Sequence, residues 1–144
     1  MIKKASYNDA AIVANLAAKV WTSTSVEDLI AEFKEFLVSE DSATYLYIIN
    51  NTAIGFAQCQ LRRDYVEGTE TSPVGYLEGV YIEPTYRKKG YGKALVKACE
   101  AWAKDKECTE FASDCELHNT DSLAFHLHSG FEEANRIICF TKKL

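Results

Sequence analysis

The stretch VGYLEGVYIEPTYRKKGYGKAL, residues 74–95, decides the fold. Residues 74–82 read as a strongly apolar strand, rich in β-branched and aromatic side chains and broken by one charge, Glu78. Pro84 ends it. After the turn EPTYR, residues Tyr91, Ala94, Leu95, Ala98 and Trp102 recur on one face, so a helix is expected from Lys88 to about Lys104. A strand, a short turn and a glycine-rich helix start form a unit with a physical use. Helix N-termini carry unpaired N–H groups and a partial positive charge. Glycines there let the backbone approach a bulky anion, and Lys88, Lys89 and Lys93 add charge. Gly90 and Gly92 would otherwise serve packing alone, with the lysines solvated. Two glycines within three residues at a helix start cost stability, which favours a pyrophosphate cradle. The spacing is neither that of a Walker loop nor G-x-G-x-x-G.

The charge pattern around this unit changes sign. From Asp64 to Glu83 there are five acidic residues and no Lys or Arg; from Arg87 to Lys97 there are five basic residues and no acid. The basic half suits phosphates. The acidic half suits a cationic small molecule.

Outward from this centre the chain reads as alternating elements. Ser6 with Asp9 resembles a capping box, and Ile12, Val13, Leu16, Ala17 and Val20 follow at helical spacing. Ser25 and Asp28 start a second helix with Leu29, Ile30, Phe33 and Leu37 on one face. ATYLYII (43–49) and TAIGFAQCQLRR (52–63) are strands around Asn50-Asn51, which tolerate positive φ. Residues 64–73 are a polar loop. TEFASD (109–114) is a strand, 119–128 a short helix, and RIICFTKK (136–143) a closing strand. The expected order is α-α-β-β-β-α-β-α-β: an α/β fold in one domain over residues 1–144, its mixed sheet flanked by helices on both faces.

Composition sets bounds. A hydrophobic content of 47% with 26% charged residues is that of a globular chain. No apolar run approaches the roughly 20 residues of a membrane helix, and MIKKASYNDA lacks a signal-peptide core. Cys59, Cys99, Cys108, Cys115 and Cys139 are odd in number and form no C-x-x-C pair, which argues for reduced thiols in a cytoplasm and against both a disulfide framework and a zinc site; no metal is expected. A net charge of −5 makes nucleic acid an unsuitable partner.

Arg87-Lys88-Lys89-Gly90-Tyr91-Gly92 resembles the Arg/Gln-x-x-Gly-x-Gly/Ala signature of the GCN5-related N-acetyltransferases (GNAT), which bind acetyl-CoA. Asn119, between strand 109–114 and the helix ending at Ser129-Gly130-Phe131, is similar to that family's second conserved region. The stretches 64–82, 108–114 and 138–143 look like the small, dimeric bacterial aminoglycoside 6′-N-acetyltransferases. The resemblance implies the GNAT fold, with a central mixed, mostly antiparallel sheet. It also implies acetyl-CoA as co-substrate, held by Val80, Tyr81, Ile82, Lys88, Lys89, Gly90, Tyr91, Gly92, Lys93 and Asn119. It places Trp21, Tyr65, Glu78, Asp114 and Asn135 at the acceptor, and Glu78, Asp114 and His126 in catalysis. A homodimer follows from the resemblance only, with Ile137–Phe140 as an interface strand.

Each residue also has a plainer reading. By alternation Glu78 shares a face with Tyr76, Val80 and Ile82, where a charge must be paired or functional; the plain reading is a salt bridge. Asp114 ends a strand, where sites of open α/β sheets gather, or caps a turn. Trp21 and Tyr65 are core aromatics unless the resemblance holds. Asn119 suits a helix N-cap. His126, beside Phe125, stands near the point where the wider family has a tyrosine acid. Cys115 reads as core. The acceptor alternatives are a polyamine or a peptide N-terminus; an acyl-CoA-binding module without catalysis is a third reading.

Overall fold

The computed structural model describes residues 1–144. The order is β1 (Ile2–Lys4), α1 (Ala10–Ala17), α2 (Val26–Val38), β2 (Ser42–Ile49), β3 (Thr52–Arg62), β4 (Val74–Ile82), α3 (Tyr91–Asp105), β5 (Phe111–Ala112) and α4 (Thr120–His128). One sheet runs β1-β2-β3-β4-β5. The first three pairings are antiparallel and β4–β5 is parallel, so the sheet is mixed and mostly antiparallel, as expected. No helix is long and apolar enough to cross a membrane.

Local chemistry accounts for the elements. Ser6 N–H donates to Asp9 Oδ2 at 2.8 Å and starts the chain into α1. Ser25 Oγ accepts from Asp28 N–H at 3.1 Å and caps α2. Asn50 and Asn51 turn the β2–β3 hairpin with φ of 49° and 62°, the positive values a two-residue hairpin loop requires. Asn119 Oδ1 accepts from Ser122 N–H at 3.1 Å and caps α4. Two cores form on opposite faces of the sheet. Leu29, Phe33, Leu46 and Phe56 bury α1 and α2. Leu77, Leu95, Val96, Cys99 and Trp102 bury α3.

Three sequence expectations are corrected here. Ile2–Lys4 forms an edge strand paired with Tyr45–Tyr47; three exposed residues are too few to show alternation. Strand 109–114 shrinks to Phe111–Ala112. Residues 136–143 form no strand in this chain. Their apolar content fits one, but a strand needs an edge to bond to, and here Ile137, Ile138 and Phe140 are 65%, 80% and 91% exposed.

A fourth correction bears on the site. Gln58 pairs with Gly79 and Cys59 with Leu77, so Glu78 is the extra residue of a β-bulge. The bulge inverts the side-chain alternation. Val80 and Ile82 join Leu77 in the core under α3, whereas Gly79 lies against Trp21 and Tyr81 packs in the α1/α2 core. Glu78 therefore does not share a face with Val80 and Ile82.

Candidate active site

The sheet forks at the bulge. β4 and β5 pair only at Gly75↔Phe111 and Tyr76↔Ala112. One residue further, Ser113 Oγ donates to Leu77 O at 3.1 Å, so a side chain replaces the next rung of the ladder. Beyond it the β5 side of β4 stands open. Glu83 N–H bonds back to Ile54 O on β3 at 2.8 Å, while Ile82 O faces the other way and accepts from Arg87 Nε at 2.7 Å. By strand alternation the amides of Val80 and Ile82 point into the open fork. A linear amide-bearing chain can lie there as a strand would, with the Val80 N–H free to polarise a carbonyl.

The fork leads to the start of α3. Lys88 and Gly90 adopt φ of 62° and 84°, and the first intrahelical bond, Ala94 N–H to Gly90 O, is 3.0 Å. The leading N–H groups of the helix thus lie at an open end. The two glycines do different work. A Cβ on Gly90 would meet nothing within 4 Å, and its positive φ is one that other residues adopt at a cost. A Cβ on Gly92 would stand 2.8 Å from Phe125 Cε1 on α4, so Gly92 permits helix–helix contact. Gly90 thus leaves open space at the helix start, with Lys88, Lys89 and Lys93 exposed around it. Tyr91 offers only its backbone there, because its ring stacks on Tyr47 with centroids 4.4 Å apart.

On the other side of the bulge lies a carboxylate cluster. Glu78 is tied to β3: Oε1 accepts from Arg62 Nε at 2.9 Å, Arg62 Nη2 at 2.6 Å and Gln60 Nε2 at 3.2 Å, and Oε2 accepts from Arg62 Nη2 at 2.8 Å. Burial pushes the Glu78 carboxyl above its ordinary range, and Arg62 opposes that shift. The Arg62 guanidinium lies 3.5 Å from the Tyr76 ring centroid, and the Tyr76 hydroxyl donates to Asp114. Burial and then that Asp114 bond raise the Tyr76 phenol, which stays protonated. Glu78 and Asp114 are thus joined through Arg62 and Tyr76. Trp21, packed on Phe33 and Phe56, lies directly under Gly79, where a Cβ would come within 2.6 Å of its Cη2. Tyr65 is 81% exposed, so it is not a core aromatic. It donates to Glu67, which also accepts from Asn135 Nδ2 at 3.1 Å. Tyr65 and Asn135 therefore meet on one rim.

His126 sits beside the fork. Its Nδ1 is 2.7 Å from Ser122 O and its Nε2 2.8 Å from Ser113 Oγ. Ser113 has one hydroxyl hydrogen for two neighbours, Leu77 O and His126 Nε2, so the imidazole is linked by a single proton to the point where the strands part. Cys115, expected in the core, is exposed instead, because the chain has left β5 by then. A cavity of about 980 Å³ collects Tyr76, Asp114, His126 and Asn135. No group of three or more His, Cys, Asp or Glu side chains converges as a metal site would. Sequence reasoning missed Arg62, Tyr76 and Ser113. The cation on β3 was visible, but its register against β4, across an eleven-residue connection, was not.

Comparison with known proteins identifies the family and the fold. The profile of the Acetyltransferase (GNAT) family matches residues 11–131. An aminoglycoside N(6′)-acetyltransferase type 1 of Stenotrophomonas maltophilia is 38% identical over 99% of this chain and 93% of its own. That of Acinetobacter haemolyticus is 39% identical over 90% of this chain and 88% of its own. Among solved structures, the aminoglycoside N-acetyltransferase AAC(6′)-Iy in complex with CoA superposes with a TM-score of 0.95 at 33% identity, covering 100% of this chain and 95% of that one. The same protein with the bisubstrate analog CoA-S-monomethyl-acetylneamine gives 0.94 at 33% identity, covering 100% and 98%. In sequence over nearly its whole length and in fold over all of it, this chain belongs to the acetyltransferase (GNAT) family and is an acetyl-CoA-dependent N-acetyltransferase.

Proposed function

We propose that this enzyme transfers the acetyl group of acetyl-CoA to the 6′-amine of aminoglycosides, by direct attack in a ternary complex, and so confers resistance to them. The carrying observation is the fork: β4 has the phosphate cradle beyond one end and the Glu78–Asp114 cluster on the other side of its bulge. The α3 N-terminus, Gly90 and the three lysines hold the pyrophosphate. Asn119, already the cap of α4, hydrogen-bonds the pantetheine arm. The amides of Val80 and Ile82 bind that arm, and the Val80 N–H polarises the thioester carbonyl. A neutral amine attacks the carbonyl carbon, so a C–N bond forms and the C–S bond breaks. Asp114 and Glu78, directly or through water, orient the amine and receive its proton. His126, protonated from solvent to the imidazolium, gives a proton through Ser113 to the departing thiolate and is left neutral. Much of the acceleration comes from holding the two reactants together.

The acceptor site takes Trp21 as its floor and Tyr65, Glu67 and Asn135 as its rim. The working form is a homodimer in the cytoplasm. Five free cysteines fit a reducing compartment. The exposed segment bearing Ile137, Ile138 and Phe140, beside the two-residue edge strand β5, is what a second copy would cover. Sedimentation should give a dimer for the full chain and a monomer for a chain ending at Phe131; a monomeric full chain refutes this part. For the reaction, release of free thiol from acetyl-CoA is measured with aminoglycosides, polyamines and peptides. Aminoglycosides bearing a free 6′-amine are expected to give the highest kcat/KM. A preference for spermidine or a peptide N-terminus would overturn the assignment.

A further inference from the structure

A carboxylate meant to attract a cation is here already paired with one. Glu78 accepts four hydrogen bonds, three of them on Oε1. A carboxylate oxygen offers about two lone-pair sites, so Oε1 is saturated, whereas Oε2 has room for one further donor. The arginine is itself fixed from a second direction by the Tyr76 ring, 3.5 Å from its centre. That ring's hydroxyl holds Asp114. The geometry points to Arg62 as a positioning residue of the acceptor site, one that keeps the half-buried Glu78 carboxylate ionised and leaves only Oε2 for an incoming ammonium group.

The physical need follows from burial. The Glu78 side chain is 16% exposed, and a carboxyl so placed tends to retain its proton and lose the charge that attracts a cation. The groups facing it from each neighbouring element are few. Arg62 and Gln60 come from β3, Tyr76 from β4 itself and Asp114 from beyond β5. On the helix side Trp21 lies against Gly79 and brings no charge. Arg62 is the only cation among them. Without it, burial and Asp114 both raise the Glu78 pKa. The pairing also makes the cluster net −1: two carboxylates, one guanidinium and a neutral phenol. A site of that charge holds one ammonium group of the acceptor without gathering several.

This inference rests on the acceptor reading of Glu78, so its test includes a measurement that needs no acceptor. Carbon-13 NMR follows the Glu78 side-chain carboxyl through a pH titration in the wild type, Arg62→Met and Arg62→Lys, with CoA affinity as a check on the fold. The midpoint should rise by about one pH unit or more in Arg62→Met and by clearly less in Arg62→Lys, CoA binding staying within about twofold. In turnover of kanamycin A, kcat/KM of Arg62→Met should fall about tenfold at pH 6 and recover in part by pH 8. In a Glu78→Gln background the same substitution should cost little more. An unmoved Glu78 midpoint, or a loss that is equal at all pH values and additive with Glu78→Gln, overturns the proposal. A wild type that acetylates no aminoglycoside refutes the acceptor assignment instead, and the carboxyl titration still decides whether Arg62 holds Glu78 ionised.

Discussion

Replacing Gly90 by Asn and by Asp separates the backbone role of this residue from its place in the phosphate site. Its φ of 84° lies in the left-handed region, where Asn and Asp are the best tolerated alternatives. A Cβ there meets nothing within 4 Å, so neither variant clashes. Both should therefore lose about 1 kcal/mol of stability, and equally. Affinity for CoA should not fall equally. A charge about 5 Å from a phosphate, at an effective dielectric of about 40, costs about 1.7 kcal/mol per phosphate charge. Two pyrophosphate charges give about 3 kcal/mol, or a Kd roughly 100-fold weaker for Gly90→Asp at low salt. Asn has nearly the same shape without the charge, and should lose less than about tenfold. Titration calorimetry with CoA at two salt concentrations reads both, and the gap should narrow at high salt. Equal affinities for the Asn and Asp variants would remove the pyrophosphate from Gly90, and the cradle with it.

Two further substitutions test the other parts. Glu78→Gln should weaken kcat/KM for a cationic acceptor about 10- to 100-fold, the worth of a hydrogen bond to a charged group, with CoA binding intact; unchanged kinetics would make Glu78 purely structural. Asp9→Ala should cost about 1–2 kcal/mol of stability, seen in urea melts, because Asp9 is bonded to Ser6 N–H and to Lys3 Nζ at 3.0 Å. Burial raises the Asp9 carboxyl, but the Ser6 and Lys3 contacts outweigh it and hold the group below its ordinary value. Its contribution is thus present at neutral pH and lost as pH falls through the lowered value, so the gap between wild type and Asp9→Ala should close below about pH 4; a constant gap would refute the pairing.

The glycine-lysine entry to α3 was legible because those residues announce themselves locally, although Lys88, expected as the first helical residue, has a φ of 62° and the helix begins at Tyr91; the cap at Asn119 was legible too. The hairpin at Asn50-Asn51 was legible for the same reason. What could not be read was register. The bulge at Glu78 is set by how β3 meets β4 across a long connection, and no local pattern in VGYLEGVYI marks the extra residue. The face of Val80 and the partner of Glu78 were lost together for that reason. Strand 136–143 shows the opposite failure. Its pattern is that of a strand, but hydrogen-bonding partners decide whether a strand forms, and this chain alone does not supply them.

The acetylated product is the most direct test of transfer to the 6′-amine. Purified protein, shown to bind acetyl-CoA, is incubated with kanamycin A and with a kanamycin whose 6′-amine is replaced by hydroxyl, and the products are mapped by NMR. A single acetyl group on the 6′-nitrogen of kanamycin A, and none on the hydroxyl analogue, is the expected result. Acetylation at another amine, or no acetylated aminoglycoside at all, would contradict it.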